Sequence, residues 1–180
     1  MGPKTQEALV KLLTREEPLQ LKELRLEQVK GSALWVNRTI EAMAGKCKLK
    51  LLGLRDAGLN DHSISLLEDF VGCNQRLEHL DIAFNRILPT TSLRLLDTLT
   101  ANAKGLRFLD LSWNALSSGD ENLTAEIGEA LGALVRGSRS LQHLNLSRTG
   151  LTHNQACLLF RAVRKSRSLL AVHLSGNGFS

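Results

Sequence analysis

Residues 77–87, Leu77-Glu78-His79-Leu80-Asp81-Ile82-Ala83-Phe84-Asn85-Arg86-Ile87, repeat their pattern at 106–116 as Leu106-Arg107-Phe108-Leu109-Asp110-Leu111-Ser112-Trp113-Asn114-Ala115-Leu116. In both, an aliphatic residue stands at the first, fourth, sixth and eleventh positions and asparagine at the ninth. The leading part, Leu-x-x-Leu-x-Leu/Ile, returns at Leu21 (Leu24, Leu26), Leu49 (Leu52, Leu54), Leu141 (Leu144, Leu146) and Leu169 (Val172, Leu174), with Val172 as the apolar equivalent in the last copy. The copies thus start at Leu21, Leu49, Leu77, Leu106, Leu141 and Leu169, evenly spaced except for a longer fourth copy between Leu106 and Leu141. Six copies in near-constant register make this a repeat protein.

Within a copy the apolar positions of the leading part alternate as in a strand with one buried face. The asparagine slot holds Asn85, Asn114 and Asn177, against Val29, Ala57 and Thr149 elsewhere. An asparagine there bonds the backbone of neighbouring turns and satisfies polar groups that stacking would strand. The second half of each copy has helical spacing: Ile64, Leu67, Phe70 and Val71; Ser92, Leu95, Leu96 and Leu99; Ile127, Leu131, Leu134 and Val135; Ala156, Leu159, Phe160 and Val163. A strand and a helix in each copy form one coil that cannot bury its apolar face alone, and stacked coils close a core between a parallel sheet and a helical layer. Composition agrees. The chain has 180 residues, 38 of them leucine, with 4% aromatics and no tyrosine, as expected of a core built from identical small slots.

At this period and with a helix in each copy, the pattern resembles the ribonuclease-inhibitor-like class of leucine-rich repeats, which includes ribonuclease inhibitor, the Ran GTPase-activating protein, the repeat regions of NOD-like receptors and actin-regulatory proteins such as tropomodulin. The resemblance spans Leu19 to Ser180. It implies an α/β solenoid, a curved horseshoe segment with the parallel sheet on the concave side and helices on the convex side. It also implies a protein–protein interaction module or scaffold within a larger intracellular regulatory protein. The alternative is an enzyme regulator of the GTPase-activating or inhibitor type on the same repeats. The cysteine and the dense Trp/Tyr face of ribonuclease inhibitor are absent, and no residue matches the functional groups of a GTPase-activating protein.

The repeats divide the chain into a preceding partial repeat with a helix at 1–20, complete copies at 21–48, 49–76, 77–105, 106–140 and 141–168, and a truncated copy at 169–180. Neither end has the polar cap that a solenoid needs, so the sequence reads as a segment of a longer protein. The extra length of the fourth copy is expected in a polar rim loop, Ser117 to Thr124.

Outward-facing strand positions form strips about 4.8 Å per step across the sheet. Leu51, His79, Phe108 and His143 share one strip; Asp81 and Asp110 are adjacent in another, a like-charge pair unless a cation answers it. Phe84 and Trp113 follow in adjacent copies. These residues, with Arg55, are the expected partner-binding patch, apolar around two carboxylates and suited to a protein that presents Arg or Lys beside an apolar anchor. The other reading is that the two rings fold over their own loops and the aspartates are solvated. His79 and His143 are separated by Phe108 and stand roughly 10 Å apart, too far for one metal ion.

Net charge is +5, but residues 131–180 hold seven Arg/Lys and no Asp or Glu. Arg136 and Arg164, and Arg139 and Arg167, recur one copy apart near helix C-termini, a basic patch that complements helix dipoles or meets an acidic partner. Without interleaved aromatics it disfavours nucleic acid. Three cysteines, Cys47, Cys73 and Cys157, fit neither a disulfide framework nor a zinc site. No P-loop, Gly-x-Ser-x-Gly, HExxH or dinucleotide fingerprint occurs, so no enzyme, cofactor or metal is expected. There is no membrane-spanning apolar run, and the expected location is the cytoplasm.

Overall fold

The structure, a computed structural model, describes residues 2–14, 20–29, 33–44 and 48–179. Gly31, Cys47 and Ser180 lie outside the described residues, as do parts of the first two connections. Elements alternate along the chain: α1 (Pro3–Leu13), β1 (Glu23–Arg25), α2 (Ala33–Met43), β2 (Leu51–Gly53), α3 (Asp61–Cys73), β3 (His79–Asp81), α4 (Pro89–Asn102), β4 (Phe108–Asp110), α5 (Glu121–Gly137), β5 (His143–Asn145), α6 (His153–Val163) and β6 (Ala171–His173). The strands form one open parallel sheet in sequence order. Each helix packs on the next, giving an α/β solenoid of two layers.

The register follows from the repeat. Leu52, Leu80, Leu109 and Leu144 are opposite one another in successive strands, and all four are fully buried. Burial of a leucine side chain contributes roughly 1.5–3 kcal/mol, so a one-residue slip of any strand would forfeit a whole row. The helical faces meet them with Ile64, Leu67, Phe70 and Val71, then Leu95, Leu96 and Leu99, then Ile127, Leu131, Leu134 and Val135. In α6 the buried residues are Gln155, Ala156, Leu159 and Ala162, the repeat positions of Ser63, Ile64, Leu67 and Phe70 in α3; Phe160, expected on this face, stands at the position of Glu68 beside it and is half exposed.

The asparagines bind the coils together. Asn85 donates through Nδ2 to the carbonyls of Leu54 and Ile82, each at 2.8 Å, and accepts at Oδ1 from the N–H groups of Ala57 and Leu59. Asn114 makes the same set one coil on, with Ile82, Leu111, Asn85 and Ile87, and Asn177 repeats it with Leu146, Leu174, Thr149 and Leu151. A buried Asn thus satisfies groups of two coils at once, each of which would otherwise carry a desolvation cost.

Helix starts are set locally. Asn60 with Ser63 and Thr152 with Gln155 form capping boxes, and Asp120 accepts from the N–H groups of Asn122 and Leu123. The Asp120 cap corrects the expected rim loop: Glu121 to Thr124 are the first turn of α5, and only Ser117–Asp120 remain in the connection. The extra length is divided between that connection and a helix of 17 residues, against 14 in α4.

Candidate functional site

The sheet register places His79, Phe108 and His143 side by side. The His79 and Phe108 rings stack at 4.1 Å with 5° between planes, and His143 lies 6.2 Å from Phe108. Partial burial, with Arg25 acting in the same direction, holds the His79 imidazole below its usual value of 6.5 against the opposing pull of Asp81 and Asp110. Leu51 belongs to this row but is 9% exposed, so it supplies packing beneath His79 rather than apolar surface.

The aspartate pair differs most from the expectation. Asp81 and Asp110 face each other across β3 and β4, are 8% and 2% exposed, and their cation is the chain's own Arg55. Its Nε is 3.1 Å from Asp81 Oδ2 and its Nη2 2.8 Å from Asp110 Oδ2. Asn145 adds a second donor to Asp110 Oδ2 at 3.0 Å. The other oxygens accept from the backbone two positions on, Asp81 from Ala83 N–H and Asp110 from Ser112 N–H, as Asn145 does from Ser147 N–H. These are Asx-type turns that bend the chain out of each strand. The two carboxylates are therefore a filled framework element, and a partner's Arg or Lys has no vacant carboxylate to meet there.

The turns set up the exposed part of the site. Gln28, Asp56, Phe84, Trp113, Arg148 and Gly176 occupy one repeat position, and all six have left-handed φ, between 49° and 74°. The cause is the inter-coil ladder: the N–H groups of Gln28, Asp56, Phe84, Trp113 and Arg148 each donate to a carbonyl of the next coil, from Arg55, Ala83, Ser112, Ser147 and Ser175. For Phe or Trp such a conformation costs on the order of 1–2 kcal/mol. The two rings stand out from the surface at 38% and 43% exposure and stack at 4.6 Å, 22° between planes. Guanidinium groups flank them, Arg55 at 5.5 Å from the Phe84 centroid and Arg148 at 4.7 Å from that of Trp113. Arg148 lies over Gly176, whose added Cβ would come within 2.6 Å of the arginine stem.

Arg148 was not among the expected site residues; its signal in the sequence is its place in the same repeat position as Phe84 and Trp113. The basic residues Arg136, Arg139, Arg164 and Arg167 are all exposed but lie at the helix C-termini and the connections after them, at the opposite edge of the sheet from the ring pair. Trp35 is buried in α2, away from any surface role. On α6, Cys157 Sγ is 3.6 Å from His153 Nε2, an approach that follows from their one-turn spacing on an exposed helix face.

No family profile and no curated protein matches this sequence. Among solved structures, the chain is similar to the tropomodulin C-terminal domain of Caenorhabditis elegans, with a TM-score of 0.69 and 17% identity over 89% of this chain and 92% of that one. At that identity the likeness is one of fold. The six parallel strands alternating with six helices thus form an α/β solenoid of the leucine-rich-repeat type.

Proposed function

We propose that this chain is a protein-binding module that buries the Phe84–Trp113 pair against a protein partner. The observation that carries the reading is that stacked pair, held at strained backbone positions between two guanidinium groups and left on the surface. Bulky aromatics in left-handed geometry have a steady energetic cost, and a large exposed ring pair is what an interface uses as its anchor. His79, Phe108 and His143 extend the contact onto the concave face, while Arg55, Asp81, Asp110 and Leu51 hold the frame. The repeats are of the ribonuclease-inhibitor-like subtype, supported by their period of about 28 residues and a multi-turn helix in each coil. The role is that of a regulatory scaffold. A reducing compartment, the cytoplasm, suits the free, exposed thiols of Cys73 and Cys157.

The test is a pull-down from cell lysate with the chain and its Phe84→Gly/Trp113→Gly variant, which relaxes the backbone and therefore keeps the fold, checked by circular dichroism. Loss of a specific protein in the variant supports the reading. Equal recovery by both overturns it.

A further inference from the structure

Because all strands are parallel, every helix-to-strand connection emerges at one edge of the sheet and every strand-to-helix connection at the other. The two edges differ in charge. From α2 onward each helix-to-strand connection contributes at least one exposed Lys or Arg, among them Lys50, Arg76, Lys104, Arg107, Arg139 and Arg167, and Glu78 is the one acid there among the described residues. The opposite edge is mixed, with Asp56 and Asp120 against Arg86 and Arg148. Helix dipoles account for part of this, yet among the described residues only Lys104 reaches a helix carbonyl, that of Thr100 at 2.7 Å. Arg76, Arg139 and Arg167 have no anionic partner among the described residues.

Glu78 shows how the edge holds a carboxylate. Lys50 of the preceding coil approaches it at 2.7 Å and Arg107 of the following coil at 3.8 Å. The equivalent positions in the last two coils are Gln142 and Leu170, so no acid at this position answers the cations farther along. Beside them a cavity of about 380 Å³ opens between the C-terminal ends of α4 and α5. Leu99, Ala103, Leu106, Leu134 and Leu141 line it, and Lys104 and Arg139 complete its wall. This volume lies at the small end of ligand-binding cavities, the size for one side chain rather than a cofactor.

We propose that this edge docks an acidic peptide segment of a partner protein, with one apolar side chain in the α4–α5 cavity and flanking carboxylates against Lys104, Arg107 and Arg139. The surface is separate from the Phe84–Trp113 pair and goes beyond the reading built on it. A peptide fits better than nucleic acid because the exposed rings that could stack bases lie on the open sheet face and the other edge, away from the cations.

The test is fluorescence anisotropy with a labelled oligoglutamate peptide that carries one central phenylalanine. Expected is saturable binding, weakened about tenfold when the phenylalanine is replaced by glutamate, as loss of one buried apolar side chain implies, and abolished when lysines replace the glutamates. Lys104→Glu/Arg139→Glu reduces affinity at least about tenfold. Gly137→Trp, at a position on the cavity wall where an added Cβ meets nothing within 4 Å, removes the advantage of the phenylalanine. Phe84→Gly/Trp113→Gly binds the peptide unchanged, which separates this surface from the other. Equal binding with and without the phenylalanine, indifference to Lys104→Glu/Arg139→Glu, or tighter binding of a labelled polyuridine overturns the proposal.

Discussion

Arg55 is the residue on which the site turns. It neutralises two aspartates that are almost out of water and lies beneath the Phe84 ring. Removing one partner of a fully buried ion pair costs roughly 3–5 kcal/mol; the Arg55 side chain is 32% exposed, so water moderates the loss. Arg55→Ala is expected to destabilise the chain by about 2 kcal/mol in urea unfolding, and Asp81→Asn in the same background to recover part of it. A second expectation concerns His79. Its native imidazole is held below the ordinary value near 6.5, so the unfolded chain takes up the proton first. The stability contributed by His79 is full above that value and is lost as pH falls through its depressed native one. NMR titration should place its midpoint below that of His79 in the denatured chain, and His79→Gln should flatten the decline in stability toward acid. From sequence, the adjacency of Asp81 and Asp110 was legible because the repeat fixes the register. The identity of their cation was not, because Arg55 lies one coil from Asp81 and two from Asp110 and reaches diagonally to both carboxylates, across separations that no repeat spacing points to.

Helix packing turns on two glycines with opposite roles. Gly128 lies mid-helix in α5, where glycine costs on the order of 1 kcal/mol relative to alanine, and a Cβ there would stand 3.0 Å from Leu158 Cδ1 and 3.1 Å from Gln155 Cγ on α6. The close approach also places Gln155, which donates to the carbonyls of Leu116 and Thr124 from a buried position. Gly72, near the end of α3, would meet nothing. Gly128→Leu should therefore destabilise by at least about 2 kcal/mol through overpacking, while Gly72→Ala should stabilise by about 0.5 kcal/mol, both read as shifts in denaturation midpoint. Strands and helices were legible as elements, since each carries its own apolar period. The start of α5 was not: Ser117-Ser118-Gly119-Asp120 reads as continuous polar loop with the residues after it, and the Asp120 cap decides the boundary. The exposure of Phe160 was hidden for a related reason, since Ala162 as easily as Phe160 completes the apolar stripe of α6.

Across the whole molecule, the helices and strands of each coil pack on those of the adjacent coils, with the Arg55–Asp110 ion pair reaching one coil further, so stability is close to a sum of coils and the interfaces between them. The central strand leucines of β2 to β5 are fully buried, whereas Leu24 of β1 and Val172 of β6 are half-buried. Amide exchange should accordingly be slowest in β3 and β4 and at least about tenfold faster in β1 and β6, as local opening at the outer coils requires. The ring pair belongs to the slow, central coils, which suits a rigid anchor. The most direct measurement of the central claim is site-specific photo-crosslinking in cells, with a benzophenone amino acid in place of Trp113 and, in a second chain, in place of Phe160 on the helical face. A discrete protein adduct from position 113 that is absent from position 160 is the predicted result. Adducts equal at both positions, or none at 113, would contradict the assignment of binding to the Phe84–Trp113 surface.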